Sequence, residues 1–183
     1  MLAHLTLYED VLSSGAAALL PSAARMIFVV HGAVSIGEQR LGNGDSWHGE
    51  AEVVLKGGEK SGAMAWRFDF TTGSWAAVLV RRACGLASSS PPSWTLPESE
   101  HLRRGDSVAF PPGGCAFTHV HQVPGIRRII EGGIRIHTQG RSTAYGPGGA
   151  WFENGVEPVF AQAAPDRPSR FTRLKILTRT HSW

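Results

Sequence analysis

The residues of this chain with the clearest chemical reach lie in Gly113-Gly-Cys-Ala-Phe-Thr-His119-Val-His121. In an extended strand alternate side chains share a face, so His119 and His121 point the same way, their imidazoles close enough to grip one metal ion. Arg127 and Arg128 follow, and strand alternation sends one of them inward. A buried guanidinium needs a carboxylate, from Glu153, from Glu131 or from a ligand. That arginine is therefore either a substrate anchor or half of a structural salt bridge. Tyr145, Trp151 and Phe152 either wall a pocket or fill a core. Cys115 shares the face of His119 in an unbroken strand and is either a soft ligand or packing, while Gln162 is a candidate polar contact reaching the interior.

The spacing of these residues carries a family resemblance. Gly113, five residues, His119-x-His121 and a glycine at 132–133 resemble the first motif of the cupins, small double-stranded antiparallel β-barrels that usually hold a divalent metal. The stretch Gly140-Arg-Ser-Thr-Ala-Tyr-Gly-Pro147-Gly-Gly149-Ala-Trp-Phe152 resembles the second motif, a glycine, a spacer, Pro-x-Gly, two residues and a histidine. The resemblance spans residues 100–180 and implies four metal ligands, of which His119 and His121 are present. The family's glutamate position falls on Gly125 or Ile126, and its second histidine on Phe152. Glu153 supplies a third ligand if a bulge turns it inward, and faces away in a regular strand. Two imidazoles alone seldom hold a divalent ion tightly. The alternatives are a site for Fe, Mn, Ni or Zn built on His119, His121 and Glu153, or a decayed site without metal.

The elements that must position these residues come in two copies. Val30-His-Gly32-Ala-Val-Ser-Ile36 lines up with Ile130-Glu-Gly132-Gly-Ile-Arg-Ile136, and Gly44-Asp-Ser-Trp47-His48-Gly-Glu50 with Gly148-Gly-Ala-Trp151-Phe152-Glu-Asn154. Offsets of 100 and 104 imply an internal duplication. Carried back by 100, the histidine pair lands on Leu19 and Pro21, so the first copy has no metal pair and retains only His48. With 22 glycines, 11 prolines and no long amphipathic helical pattern, the chain reads as many short strands joined by turns. The expected fold is all-β, two double-stranded β-helix (cupin, or jelly-roll) barrels in tandem. The first, degenerate and without the metal motif, covers residues 1–87, and the second, carrying it, covers 98–183. The turn-rich stretch within 85–98 is the linker, following an apolar run at 75–80.

Charge and cysteine content narrow the function. Residues 1–90 carry seven basic and eight acidic side chains, whereas 91–183 carry eleven basic, ten of them arginine, and seven acidic. Arginine's planar fork favours carboxylate or phosphate, so a small acidic molecule is the expected ligand, with Arg127, Arg128, Tyr145, Phe152 and Gln162 as candidate contacts. No run of five basic residues, no aromatic-basic interleaving and no helix-turn-helix pattern points to nucleic acid. Cys84 and Cys115 lie in different halves, and the chain shows no signal peptide and no apolar run near membrane-spanning length. A reduced, cytoplasmic protein without a disulfide or membrane association is expected. The family resemblance and the edge strands of small sheets predict a homodimer. The resemblance implies a metal-dependent dioxygenase, isomerase or hydrolase, or alternatively a non-catalytic small-molecule binding or sensor module whose metal site has decayed. It does not identify the catalytic residues.

Overall fold

The computed structural model describes residues 2–72, 94–95 and 101–178. The expected linker lies outside these residues except for 94–95, as do the apolar run at 75–80 and Cys84. Among the described residues every regular element is a β-strand, as the turn-rich composition predicts. The chain divides into two units, Met1–Pro97 and Glu98–Trp183.

The first unit contains β1 (Leu2–Leu12), β2 (Ala17–Leu20), β3 (Ala24–His31), β4 (Val34–Ile36), β5 (Gln39–Leu41), β6 (Ser46–Gly49), β7 (Val53–Gly57), β8 (Ala63–Thr72) and β9 (Trp94–Thr95). They form sheets of order β6-β3-β8-β1-β9 and β2-β7-β4-β5, antiparallel throughout. The inner faces meet in one apolar core that joins Ile27, Val29 and Ala65 of one sheet to Leu20, Ile36 and Leu55 of the other.

The second unit repeats the plan with β10 (His101–Phe110), β11 (Cys115–His119), β12 (Gly125–Glu131), β13 (Ile134–Thr138), β14 (Arg141–Tyr145), β15 (Ala150–Glu153), β16 (Val159–Ala163) and β17 (Ser169–Thr178). Its sheets run β10-β17-β12-β15 and β11-β16-β13-β14. The core joins Ile129, Trp151 and Phe171 to Ile134, Ile136, Val159 and Ala161. Strand β3 is buried on both faces from Arg25 to Val29, apolar from Met26 on, whereas β13 alternates buried isoleucine with more exposed polar residues.

The duplication is visible residue by residue in the strand register. Arg25 faces Gly49 across β3 and β6, and Gly125 faces Glu153 across β12 and β15; the next pairs, Met26 with His48 and Ile27 with Trp47, match Ile126 with Phe152 and Arg127 with Trp151. Both copies carry an irregularity at the same place, between Val29 and His31 and between Ile129 and Glu131. Each is followed by a left-handed glycine, Gly32 (φ 78°) and Gly132 (φ 75°). A Cβ on Gly132 would lie 2.2 Å from the Pro168 carbonyl, so only glycine admits the neighbouring chain there.

One sequence-derived alignment changes. Leu20 faces Val53 where His119 faces Val159, so the first-copy equivalent of His119 is Leu20 rather than Leu19. Leu20 is part of the apolar core, and Leu19 points outward at 63% exposure. The difference arises because β11 contains one residue more than β2 across this stretch.

Candidate functional site in the second barrel

That extra residue aims the histidine pair. Cys115 and Ala116 pair with Gln162 and Ala161, but His119 pairs with Val159, leaving one residue unmatched between Ala116 and His119. Without this bulge His119 would alternate away from the interior; with it, His119 takes the inward face of Val159. The bulge also separates His119 from Cys115, which is exposed beside exposed Gln162. The expectation that Cys115 shares a face with His119 is thus corrected, since the strand is not unbroken.

The two imidazoles meet edge to face with centroids 4.7 Å apart, and their Nε2 atoms are separated by 3.2 Å. His119 Nδ1 lies 2.7 Å from the Phe117 carbonyl, which can only accept, so Nδ1 carries the proton and Nε2 of the neutral ring holds a lone pair. The His121 Nε2–H then bridges toward His119 and toward Glu153 Oε2, 3.0 Å away.

Glu153 arrives without the bulge the sequence reading required. Strands β12 and β15 pair in regular register, with Gly125 opposite Glu153, Ile126 opposite Phe152 and Arg127 opposite Trp151. Trp151 lies in the barrel core, so Glu153, two residues on, is inward as well and Phe152 is not. The motif alignment that made Phe152 a pocket residue placed it on the wrong face. Glu153 therefore projects from the strand opposite Gly125, one of the two positions on which the family's glutamate falls. A side chain could not be added at Gly125 itself, where a Cβ would stand 2.5 Å from the Leu174 carbonyl.

Glu153 is fully engaged. Trp151 Nε1–H donates to Oε1 at 2.7 Å, and Arg127 Nη2 lies 2.7 Å from Oε2. Arg127, 1% exposed, also donates from Nη1 to the Gly125 carbonyl at 2.7 Å. Burial pushes its guanidinium down to about 10, with Glu153 opposing the shift, so Arg127 is a cation at neutral pH. Burial alone would raise the Glu153 carboxyl. The His121 contact, the charge of Arg127 and the Trp151 N–H outweigh that and hold it below its ordinary value.

Further cations line the same sheet face. Across β10, β17 and β12, Asp106 faces Arg173, which faces Arg127; in the next row Arg104 faces Lys175, which faces Gly125. Asp106 is shared by three cations, through an ion pair to Arg173 Nε, a 3.2 Å contact to Arg104 Nε and a 4.0 Å contact to Lys175 Nζ. The barrel interior is thus apolar at one end, around Ile129, Trp151 and Phe171, and polar and cation-rich at the other.

The remaining sequence candidates lie elsewhere. Arg128 alternates with Arg127, takes the opposite face and donates to the Gly148 carbonyl at 2.8 Å. Tyr145 stacks on Trp151 at 5.0 Å as part of the core. Gln162 is exposed between inward Ala161 and Ala163, so it does not reach the interior. Arg173, Lys175 and Asp106 were missed. The signal for Arg173 and Lys175 was the alternation of basic and apolar residues in β17, where these two positions line the barrel instead of facing water.

As donors for a metal, the residues fit only in part. The Nε2 pair has a separation that one ion could bridge, given bonds of about 2.0–2.1 Å to each nitrogen. The third donor is already neutralised by Arg127, and among the described residues no group of three or more His, Cys, Asp or Glu side chains is arranged to hold an ion. The set as it stands is one ligand short of a divalent centre.

No family model matches the sequence, and no curated protein matches it at a significant level. Solved structures do match in three dimensions. AerE from Microcystis aeruginosa superposes with a TM-score of 0.69 at 11% identity, covering 94% of this chain and 88% of its own. An oxalate decarboxylase of Bacillus subtilis gives 0.65 at 14% identity, covering 96% and 71%. A salicylate 1,2-dioxygenase from Pseudaminobacter salicylatoxidans gives 0.65 at 12%, covering 94% and 70%. What this chain shares with them is the bicupin fold, two cupin barrels in tandem.

Proposed function

We propose that the second barrel binds a small organic acid at its polar end and that the first barrel is structural. The observation that carries this reading is the row of cations on one inner sheet face, where a single carboxylate, Asp106, serves Arg104, Arg173 and Lys175 beside the buried Arg127–Glu153 pair. Partly buried cations in excess of their carboxylates are stabilised by an anion from outside. Similarity to an oxalate decarboxylase and to a salicylate dioxygenase solved in complex with gentisate supports a small acid as the class. In this reading His121, sharing its Nε2–H between His119 and Glu153, exchanges a proton with the bound acid or water, while Arg127 keeps Glu153 ionised. The test is titration calorimetry on the full chain with a panel of small carboxylic acids and their neutral amides. Acids bind and amides do not; equal weak heats from both would sink the reading.

A second reading is favoured by the 3.2 Å separation of the imidazole nitrogens and by the lone pair the Phe117 carbonyl leaves on His119 Nε2. Here Glu153 gives up Arg127 and joins His119 and His121 around a divalent ion, Fe, Mn, Ni or Zn. The ion would supply Lewis acidity or oxygen activation for dioxygenase, isomerase or hydrolase chemistry. Stoichiometric metal in untagged protein, lost in His119→Ala, supports it, and metal-free protein that still binds acids returns the assignment to a binding or sensor module. The proposal also takes the protein as a cytoplasmic homodimer, the exposed free thiol of Cys115 suiting a reducing compartment and the edge strands of small sheets a partner. A monomeric mass by light scattering would remove the dimer.

A further inference from the structure

We propose that Arg127 is a resident cation standing where the second barrel would otherwise hold a divalent metal. Its guanidinium occupies the Glu153 carboxylate, so the wild-type site excludes the ion, and removing the charge uncovers a metal site built on His119, His121 and Glu153. The assignment is independent of the acid-binding reading, since failure of acids to bind leaves it untouched. It opposes the second reading, in which Glu153 gives up Arg127.

Spacing alone does not bar the ion. Tetrahedral bonds of about 2.0–2.1 Å hold neighbouring ligand atoms about 3.3 Å apart. The two histidine Nε2 atoms are 3.2 Å apart, and His121 Nε2 is 3.0 Å from Glu153 Oε2. What bars the ion is the use to which each donor atom is put. His119 Nε2 accepts from His121 Nε2–H, which also faces Glu153 Oε2, and Oε2 ends on Arg127 Nη2 at 2.7 Å. Oε1 accepts the Trp151 N–H. The carboxylate is spent on a full positive charge, and among the described residues no three His, Cys, Asp or Glu side chains form a ligand set.

Arg127 is in no position to stand aside. It is 1% exposed, and its Nη1 is fixed to the Gly125 carbonyl at 2.7 Å. Burial pushes it down to about 10, which still leaves a cation at neutral pH. An ion bonded to Oε2 at about 2.0–2.2 Å would stand within about 5 Å of Nη2, a divalent charge against a guanidinium that solvent barely screens. Drawing Arg127 off the carboxylate would instead leave a buried cation unpaired. The scaffold does not itself demand an arginine here. In the first barrel the position matched to Arg127 is Ile27, opposite Trp47 and part of the apolar core, and the positions matched to Glu153 and His119 are Gly49 and Leu20. The inward arginine at this position thus occurs only in the copy that carries the glutamate and the histidine pair.

The experiment uses untagged full chains, wild type and Arg127→Met, freed of metal by chelation. Each is titrated with divalent cobalt, read by visible absorption, and with divalent zinc, read by calorimetry. Wild type takes up neither ion stoichiometrically. Arg127→Met binds one ion per chain at least about 100-fold more tightly than wild type, because a unit charge about 4–6 Å away shifts binding of a proton by about 10- to 1000-fold and a divalent ion feels it doubly. Adding Glu153→Gln or His119→Ala to Arg127→Met abolishes the gain. Stoichiometric uptake by wild type, no gain in folded Arg127→Met, or a gain that survives Glu153→Gln overturns the assignment. Should Arg127→Met fail to fold, Arg127→Gln removes the charge while keeping a donor for the Gly125 carbonyl, and the wild-type titration requires no variant.

Discussion

Replacing Glu153 by glutamine tests the pairing on which the polar end of the second barrel is built. The amide keeps the shape and an acceptor for the Trp151 N–H, 2.7 Å away, but removes the charge facing Arg127. Arg127 is 1% exposed, so it cannot recover hydration without moving. Leaving one member of a buried pair uncompensated costs about 3–5 kcal/mol. For a unit of this size each 1 kcal/mol shifts Tm by about 4–8 °C, so Glu153→Gln should lower the transition of this barrel by about 12 °C or more. Arg127→Met added to Glu153→Gln removes the orphaned cation and should restore most of the loss, because buried ion pairs replaced by apolar side chains are often nearly neutral. The measurement is a double-variant cycle by thermal and urea denaturation followed by circular dichroism, with a coupling of at least about 2 kcal/mol expected. A single variant costing less than about 1 kcal/mol, or a double variant no more stable than Glu153→Gln, would show that Arg127 is not balanced by Glu153 and would refute the reasoning.

Three further outcomes follow from the geometry. Because the folded Glu153 carboxyl is held below its ordinary value of 4.5, its contribution is present above that pH and is lost as pH falls through the lower folded value; Glu153→Gln should flatten stability across this acid window, and an unchanged slope would assign it to other groups. Gly132→Ala should cost more than about 1 kcal/mol, since φ is 75° and the new Cβ meets Pro168 O and the Ser169 hydroxyl that bonds Gly133; a variant as stable as the parent would contradict the close approach. Asp69→Asn should destabilise the first barrel, where Asp69 pairs with both Arg25 and Arg67, without altering acid affinity, and a change in titration heats would give the first barrel a role in binding.

The architecture was legible in the sequence because duplication and turn spacing are properties of the chain itself. The glycines at 32 and 132 and the tryptophans at 47 and 151 occupy matching places in both barrels. The site was legible only in part. Alternation correctly sends one of Arg127 and Arg128 inward, but which face of β15 is inward depends on its pairing with β12, and motif counting chose Phe152 where the register chooses Glu153. Regular alternation put Cys115 on the face of His119, whereas the strand is irregular between them and His119 reaches the interior because of it. A single bulge exchanges the two faces, and no residue type in Ala116-Phe-Thr-His119 announces it. Lys175 and Arg173 escaped notice because a basic-apolar alternation ordinarily marks a wet face, and here the basic face lines the barrel.

The two copies also differ in how their interior charges are met, which is why the proposed acid site is assigned to the second of them. In the first barrel the matched positions hold Arg25 opposite Asp69 and Ile27 opposite Arg67, and Asp10 completes the set. Arg25 contacts Asp69 and the Pro21 carbonyl, while Arg67 is held by Asp10 and Asp69 beneath the Tyr8 ring, 4.0 Å from its guanidinium carbon. Among the described residues, two cations of this network meet two carboxylates, so it is balanced by its own side chains. Trp47 there lies over Gly49, where a Cβ would stand 2.5 Å from its ring, whereas Trp151 in the second copy donates to the carboxylate of Glu153. The duplicated scaffold has thus been filled in two ways. One closes its own charge network and stabilises the barrel, and the other leaves cations in excess beside a histidine pair, which gives it a reason to bind an acid.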